Sequence, residues 1–437
     1  MAQKKQIKLS LTTAIILIIV FIAVLALICF SIIKSGQNSK AEKNTGEAIE
    51  MHDDKVTDDG KMTSKIKSNE DFATRFLKME NNEKNIIYSP LSIKYALNLL
   101  SEGANQNTKK EIENVIGNLS LSNYKSIDRV LSLANAVYVR DTYAEYVKGE
   151  YIKNVKEKYN SEIKYDSFKN AENINKWIEE KTLGIIKNML NDEIVNNASM
   201  MLINSLAIDM EWQRNFEAKD THGEEFNLAN GSKINATTMN QIVSDDSASY
   251  YIDEDITAVS MNLKKYEDTQ LEFIAIMPKD KLSDYINKFS KNDIDNITKK
   301  LTSASTTQGG IRISIPRFSL DYNLKLKDDL INLGITEAFK NSADFTGMTN
   351  DKAGLYVSDA LHKANIEFTE KGIKAAASTV IVMTEYALAI GEVPKQIKFD
   401  KPFLYIIRDK QNGEIFFIGA LYEPNLWEND KSKYDYR

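Results

Sequence analysis

Residues 370–394 read EKGIKAAASTVIVMTEYALAIGEVP. The stretch is too apolar for an ordinary surface loop, and its β-branched residues disfavour a helix. In an extended strand, alternate side chains point to opposite faces. One face of residues 373–384 is then small or apolar and free of charge, with Ile373, Ala375, Ala377, Thr379, Ile381 and Met383. The pattern fits an ordinary buried strand, and it fits equally a segment that slides into a packed sheet.

The flanks of this segment favour the second interpretation. Glu370, Lys371 and Gly372 indicate a hinge, because glycine adopts backbone conformations that other residues avoid. Residues 386–392 indicate an accessible loop. We therefore expect residues 373–384 to lie outside a sheet in the intact molecule and to be stabilised by joining it.

The composition is that of a globular chain with a large core. The 437 residues carry a formal net charge of −6, and 43% of them are hydrophobic. Without a basic excess we expect no nucleic-acid partner, since binding to a phosphate backbone depends on Lys and Arg. The single cysteine, Cys29, excludes an intramolecular disulfide and a cysteine-based zinc site.

The N-terminus predicts a membrane segment. Three lysines among residues 1–10 precede an unbroken apolar run over residues 11–33, which is long enough to cross a bilayer core of about 30 Å. The lysines predict a cytoplasmic N-terminus and an exported remainder. An uncleaved anchor is the preferred interpretation. The alternative is a cleaved signal peptide, whose apolar region usually has about 7–15 residues.

Residues 34–68 are polar and lack periodicity, which is typical of a flexible linker. The folded domain is expected over residues 69–437. We thus expect a protein of the cell membrane that crosses it once and carries an extracellular domain. Cleavage of the apolar segment would instead release a secreted protein.

Helix signals come first along the folded region. Ser89 and Pro90 predict an N-cap and a first helical residue. Residues 108–111, TKKE, predict a capping box that opens a short helix, with Gly117 as its end. Ile174, Trp177 and Ile178 predict a further amphipathic helix.

Strand signals dominate later. Residues 199–210 form an apolar run that predicts a buried strand. Residues 402–424 predict a hairpin that turns at Asn412 and Gly413. This order of helices and strands indicates an α+β fold around a large antiparallel or mixed sheet.

The sequence gives little indication of an enzyme. It has no H-E-x-x-H, G-x-S-x-G or Walker-type motif. The folded region has two histidines, His222 and His362, and His362, with Asp359 three residues upstream, is the one candidate for a catalytic arrangement. Because a lone histidine is more often structural, we expect no catalysis, no cofactor and no metal.

From residue 69 to residue 425 the chain resembles the serpins, a family of serine protease inhibitors. Five segments carry the resemblance in the order typical of the family: NIIYSPLSIKYALNLLSEGANQNT (85–108), INKWIEEKTLGII (174–186), LINSLAIDMEWQRNF (202–216), LYVSDALHKANIEFTEKG (355–372), and the hairpin from FDKPFLYIIRD (399–409) to GEIFFIGALYEP (413–424). The resemblance implies a large, mainly antiparallel central sheet, surrounding helices and an exposed reactive loop at about residues 370–394.

The resemblance also assigns residues by position. It implies a hydrogen-bonded "shutter" under the sheet (Ser89, Ser92, Asn204 and His362), with Trp212 where the loop enters. It implies a hinge made of Glu370, Gly372, Ile373, Ala375, Ala376 and Ala377. The scissile bond of the family usually follows the sixteenth residue after the glutamate, which gives Tyr386–Ala387.

Two features depart from the family pattern. Ile373 and Lys374 stand where threonine or serine and then glutamate are usual, and the bulk of Ile373 predicts slower insertion. Counting back from residues 401–403, KPF, places the cleavage near Gly391, so the loop is about five residues longer than usual. Leu388 is the second choice for the cleaved position.

The function implied is suicide inhibition. A serine protease of the chymotrypsin, subtilisin or elastase type would cleave the loop, and residues 373–384 would insert and trap the acyl-enzyme. Cysteine proteases are a further partner class, and a monomer is expected. The alternative is a non-inhibitory serpin whose loop is a plain protease substrate or a binding surface.

Overall fold

The computed structural model describes residues 72–117, 124–350, 355–357, 360–373 and 393–430. The apolar segment at 11–33 and the linker at 34–68 therefore lie outside the described residues, as does the loop from 374 to 392, and the expectations for them stay predictions. Within the described ranges, no helix is long and apolar enough to cross a membrane.

Ten α-helices are described, six of them before residue 200. They are α1 (Phe72–Met79), α2 (Pro90–Gly103), α3 (Gln106–Ile116), α4 (Gly149–Tyr159), α5 (Glu172–Lys181), α6 (Asp192–Asn197), α7 (Leu282–Lys288), α8 (Lys291–Lys300), α9 (Leu326–Asn332) and α10 (Trp427–Asp430).

Helix α2 begins as predicted. The Ser89 hydroxyl accepts a hydrogen bond of 3.1 Å from the Ser92 N–H, and Pro90 is the first helical residue. This cap satisfies one of the backbone N–H groups that a helix leaves unpaired in its first turn. Helix α3 ends at Gly117, also as predicted, with a positive φ of 69°.

The capping box predicted at residues 108–111 is wrong. Helix α3 begins earlier, at Gln106. The Thr108 hydroxyl accepts instead from the Asp344 N–H at 2.9 Å, and the Glu111 carboxylate accepts from the N–H groups of Thr336 and Glu337 at 2.7 Å each. These side chains cap a distant segment rather than their own helix.

The largest sheet has seven antiparallel strands. In spatial order they are β1 (Ile86–Tyr88), β18 (Ile415–Leu421), β17 (Phe403–Asp409), β10 (Leu271–Pro278), β9 (Ile256–Asn262), β8 (Ala248–Ile252) and β11 (Thr302–Ser303). Strands β17 and β18 form the predicted hairpin, and Gly413 in its turn has a φ of 77°.

A second sheet has four strands. Their spatial order is β16 (Lys395–Lys398), β12 (Ile311–Pro316), β7 (Lys233–Val243) and β6 (Thr221–Asn227). Strand β16 runs parallel to β12, and the other pairs are antiparallel. Strand β16 directly follows the loop segment 374–392.

The remaining strands form a sheet in two parts. One part is β3 (Glu162–Asp166), β2 (Leu131–Arg140) and β4 (Met200–Ile208); the other is β13 (Phe318–Lys325), β14 (Leu361–Phe368), β15 (Gly372–Ile373) and β5 (Met210–Glu211). Strands β4 and β14 lie side by side, but no ladder joins them among the described residues. We call the space between them the slot.

Candidate functional site: a slot and its hinge

The hinge occupies one end of the slot. Gly372 pairs with Glu211, and Ile373 pairs with Met210 on one side and with Phe368 on the other. A Cβ atom on Gly372 would lie 2.1 Å from the Met210 carbonyl oxygen. Only glycine therefore fits where the hinge passes strand β5.

The structure corrects one expectation about the hinge. We predicted that the whole segment 373–384 lies outside the sheet, but Ile373 is already inside it and is 1% exposed. Burial of such a side chain stabilises by about 1.5–3 kcal/mol, which explains why this residue leaves the loop. Residues 374–384 lie outside the described residues.

Trp212 holds the backbone of the hinge. Its indole N–H donates to the Thr369 carbonyl at 2.8 Å, and its backbone N–H donates to the Lys371 carbonyl at 2.9 Å. The indole is 1% exposed and packs edge-on against Phe368 and Phe273. The hinge turn is thereby fixed by hydrogen bonds and by aromatic packing.

Glu370 ties the hinge to the second sheet. Its side chain is buried, and one carboxylate oxygen accepts from the Thr221 hydroxyl of β6 at 3.0 Å. The other oxygen lies 3.6 Å from the Arg317 guanidinium. A buried carboxylate needs such partners, so the hinge position is determined by residues of two sheets.

A chain of hydrogen bonds crosses behind the slot. His362 of β14 accepts at Nε2 from the Ser89 N–H at 3.0 Å. The Ser92 hydroxyl donates to the side-chain oxygen of Asn204 on β4. Asn204 in turn donates from its side-chain nitrogen to the side-chain oxygen of Asn135 on β2. The four residues assigned to the shutter are thus brought together around the start of α2.

Asn135 is a member of this chain that the sequence analysis missed. It is a buried polar residue within the otherwise apolar strand LANAVYV, and an asparagine in such a strand needs a hydrogen-bond partner. The isolated asparagine in an apolar strand was the sequence signal that could have identified this member of the hydrogen-bond chain.

His362 is a neutral, structural histidine in this arrangement. It is 5% exposed, and burial lowers the pKa of its imidazole to about 4. Its Nε2 accepts from a backbone N–H, whereas a catalytic base would face a nucleophilic side chain. Asp359, its proposed partner in catalysis, lies outside the described residues.

An apolar cavity of about 120 Å³ lies at the other end of the slot. Its walls come from helices α2 and α9 and from the facing parts of β4 and β14. Residues of those walls include Leu97, Leu100, Met200, Leu202, Leu330 and Leu361. The cavity has room for apolar side chains that the described residues do not supply.

The structure gathers the described site residues at two places. Glu370, Gly372, Ile373 and Trp212 meet at the hinge end, and the shutter residues meet midway along the slot. The other assigned residues, which are Ala375, Ala376, Ala377, Tyr386, Ala387 and Leu388, lie outside the described residues.

A split sheet with its hinge at one end of a slot defines a class of protein in which a loop can add a strand to its own sheet. The family model "Serpin (serine protease inhibitor)" matches residues 67–424. The chain therefore belongs to the serpin family, and the fold predicted from the resemblance is confirmed.

Related proteins agree with this assignment. An uncharacterized serpin-like protein of Thermococcus kodakarensis is 30% identical over 374 residues, covering 80% of this chain and 83% of the relative. Human Serpin B4 is 28% identical over 384 residues, covering 79% of this chain and 95% of its own.

Solved structures show the same fold. The thermophilic serpin tengpin in its native state has a TM-score of 0.69 at 26% identity, covering 82% of this chain and 93% of that chain. Uncleaved ovalbumin has a TM-score of 0.68 at 24% identity, covering 82% of this chain and 99% of its own.

Proposed function

We propose that the protein inhibits serine proteases as a suicide substrate. The protease serine attacks the Tyr386 carbonyl, the bond to the Ala387 nitrogen breaks, and the new amine leaves, so that Tyr386 is held as an ester. Residues 374–384 then enter the slot and carry the protease away before water hydrolyses the ester. The observation that carries the proposal is the slot itself, whose first positions Gly372 and Ile373 already fill.

The pairing of the hinge gives a register for this insertion. Ile373 faces Met210 and Phe368 in antiparallel pairs. In this register, each step of one residue along the loop would move the facing position one residue back along both neighbouring strands. If the same pairing continues along the loop, Thr379 would face Asn204 on one side and His362 on the other. A threonine hydroxyl can both donate and accept there, which suits the middle of the shutter.

The same register places apolar residues at the cavity. Ile381 would face Leu202, and Met383 would face Met200, and both of these facing residues line the cavity. Ile381 and Met383 lie on the same strand face as the buried Ile373. Insertion thus fills an apolar space and leaves the charged Lys374 on the opposite face.

The test is a mixture of the full chain with chymotrypsin, subtilisin or elastase, analysed on a denaturing gel. We expect a covalent complex that survives denaturation, and mass spectrometry of the released fragment should locate the cleaved bond. Cleaved product without any complex contradicts inhibition. The aromatic Tyr386 suits chymotrypsin-like and subtilisin-like pockets, and cleavage after Leu388 would indicate an elastase-like target or a cysteine protease.

Ile373 favours a second candidate, a non-inhibitory serpin. A bulky residue packed into the sheet resists the rearrangement that fast insertion needs, and the loop would then be a plain substrate or a binding surface. Thermal unfolding of the cleaved chain separates the two functions. A large gain in melting temperature supports insertion, and an unchanged melting temperature supports the second candidate.

We also propose that the inhibitor acts outside the cell as a monomer. The apolar run at 11–33 would anchor it, and the linker at 34–68 would let the domain reach its targets at a distance of about 30–35 Å. Protease treatment of intact cells tests this location. Release of the domain by external protease supports it, and full protection of the domain contradicts it.

A further inference from the structure

The six residues that follow the family match dock against the body of the domain. The family model ends at residue 424, and the chain continues as NLWEND over residues 425–430. Leu426 forms a β-bridge with Ala236 of β7, and helix α10 packs against β6 and β7. Ordering such a segment costs conformational entropy, so its contacts must offset that cost. We call residues 425–430 the strap.

Backbone hydrogen bonds place the start of the strap where two sheets meet. The Thr237 N–H of β7 donates to the Asn425 carbonyl at 2.9 Å, and the Asn425 N–H donates to the Arg317 carbonyl at 3.2 Å. The Arg317 N–H donates back to the Thr237 carbonyl at 2.8 Å, which closes a ring of three bonds. The Asn425 side-chain oxygen also accepts from the Ser319 N–H of β13 at 3.2 Å. Asn425 thus joins β7 of the second sheet to β13 of the split sheet.

Side chains fasten the other end of the strap to the second sheet. The Asp430 carboxylate is buried and accepts from the buried Thr237 hydroxyl at 3.0 Å. A hydrogen bond to a charged acceptor is stronger than one between neutral groups. Trp427 covers Gly223 of β6, where a Cβ atom would lie 2.8 Å from the indole Cδ1. The strap therefore holds both β6 and β7.

The strap reaches both partners of the hinge carboxylate. Glu370 accepts from the Thr221 hydroxyl of β6 and lies 3.6 Å from the Arg317 guanidinium. Thr221 stands two residues before Gly223, which Trp427 covers, and Arg317 belongs to the ring of backbone bonds. By holding these two neighbourhoods, the strap fixes the spacing of the groups between which the hinge carboxylate is held.

We infer that the strap positions Thr221 and Arg317 around the Glu370 carboxylate and thereby holds the hinge turn in place. Asn425, Trp427 and Asp430 are positioning residues, because they act on the hinge through these two partners. The inference rests on the proposed function for its consequence, which is that a weaker strap lets the hinge rearrange faster during trapping.

Two backbone amides report on the hinge turn. The Trp212 N–H donates to the Lys371 carbonyl, and the Phe216 N–H donates to the Glu370 carbonyl, each at 2.9 Å. Their hydrogen exchange in the uncut chain therefore measures how readily the hinge turn opens. The experiment uses the full chain in a mild non-ionic detergent, and its mass is checked to show that it is uncut.

Asp430→Ala removes the acceptor of the Thr237 hydroxyl. It should speed exchange at the two hinge amides by about tenfold, the factor expected for one hydrogen bond to a charged group. Thr237→Val should have the same effect, and the double variant should exchange no faster than either single one, since both changes remove the same bond. Glu428→Ala is the matched control, because it removes an exposed acidic side chain from the same helix. Exchange in that control should stay at the wild-type rate.

Exchange in helix α4 distinguishes positioning from general stability. This helix packs against α2 and β3, so its amides should keep nearly wild-type rates in Asp430→Ala. Equal acceleration at α4 and at the hinge overturns the inference, as does unchanged exchange at the hinge amides in both single variants.

The rate of protease trapping is the second readout. It should rise a few-fold in Asp430→Ala and stay unchanged in Glu428→Ala. A variant that traps protease at the wild-type rate despite faster hinge exchange overturns the positioning role. Faster hinge exchange in a protein that never traps a protease leaves the strap standing and rejects the proposed function.

Discussion

The two ends of the slot differ in structure. At the hinge end, Ile373 fills the gap with a paired, buried residue, and Trp212 and Glu370 fix the turn above it. At the other end an apolar cavity is left open. The shutter lies between the two ends of the slot, and there β4 and β14 are linked through side chains and α2 rather than through a ladder. The hinge end thus has the structure of a completed sheet, whereas at the cavity end the described residues place no strand between β4 and β14.

In the proposed mechanism, this difference indicates where insertion would gain its free energy. Little remains to be gained at the hinge, because its residues are already buried. The gain must come from new ladder pairs along β4 and β14 and from filling the cavity. Variants at the two ends should accordingly have different effects on trapping and on stability.

The largest effect is expected from one of two neighbouring alanines. In the proposed register Ala377 faces the buried Leu206 and Ala364. Ala376 points to the opposite face, between the buried Ala207 and the half-buried Asn365. Ala377→Arg would bury an unpaired charge at a cost of several kcal/mol. The fraction of protease trapped per cleavage should fall by about 100-fold.

Ala376→Arg is the matched control for that variant. It introduces the same side chain at the adjacent position and should lose less of the trapping, because one of its two facing residues, Asn365, is only half-buried. Titration of protease with each variant gives both values. Equal losses in the two variants would contradict the register, although they would leave open that the loop inserts with another one.

The second-largest effect is expected from a substitution in the shutter. His362→Ala removes a buried ring and leaves the Ser89 N–H without its acceptor, so unfolding in denaturant should become easier by about 2–4 kcal/mol. His222→Ala is the control, because the His222 side chain is 57% exposed. A loss below 1 kcal/mol at His362 would show that the shutter contributes little.

The shutter should also depend on pH. The pKa of His362 is lowered to about 4 in the folded chain, against about 6.5 in an unfolded one. Its contribution is therefore fully present above pH 6.5 and is lost as the pH falls towards 4, by up to about 3 kcal/mol. Unfolding midpoints of wild type and His362→Ala from pH 7 to pH 4 should converge; parallel profiles would contradict this assignment.

The smallest effect is expected at the hinge end. Ile373→Thr restores the smaller residue that the family usually has and loses apolar burial worth about 1–2 kcal/mol. The smaller side chain should resist the rearrangement of the hinge less during insertion, and the rate of trapping should rise a few-fold. Stopped-flow inhibition kinetics measures this rate. A slower reaction in the variant would mean that Ile373 assists insertion.

Local signals explain which elements the sequence predicts well. The hairpin of β17 and β18 and the caps at Ser89 and Gly117 depend on residues close together in the chain, and each is found as predicted. The capping box failed because Thr108 and Glu111 bind residues more than 200 positions away. Periodicity carries no information about such partners.

The residues of the candidate site also fall into those that could be predicted from the sequence and those that could not. Residue pattern and family resemblance together identified the hinge and four members of the shutter. Asn135 was missed, since its partner Asn204 becomes a neighbour only when β2 pairs with β4. Alternation marked Ile373 as a residue that could be buried, but it could not show that the intact molecule already buries it.

Hydrogen exchange along the slot tests the central claim most directly. Strand β4 has a ladder partner on one edge only among the described residues, so its free edge should exchange quickly in the intact protein. After cleavage of the loop, amides in residues 200–208 should become at least about 100-fold more protected, because a new strand bonds to that edge. If protection at residues 200–208 is the same before and after cleavage, residues 374–384 do not enter the slot, and the account is wrong.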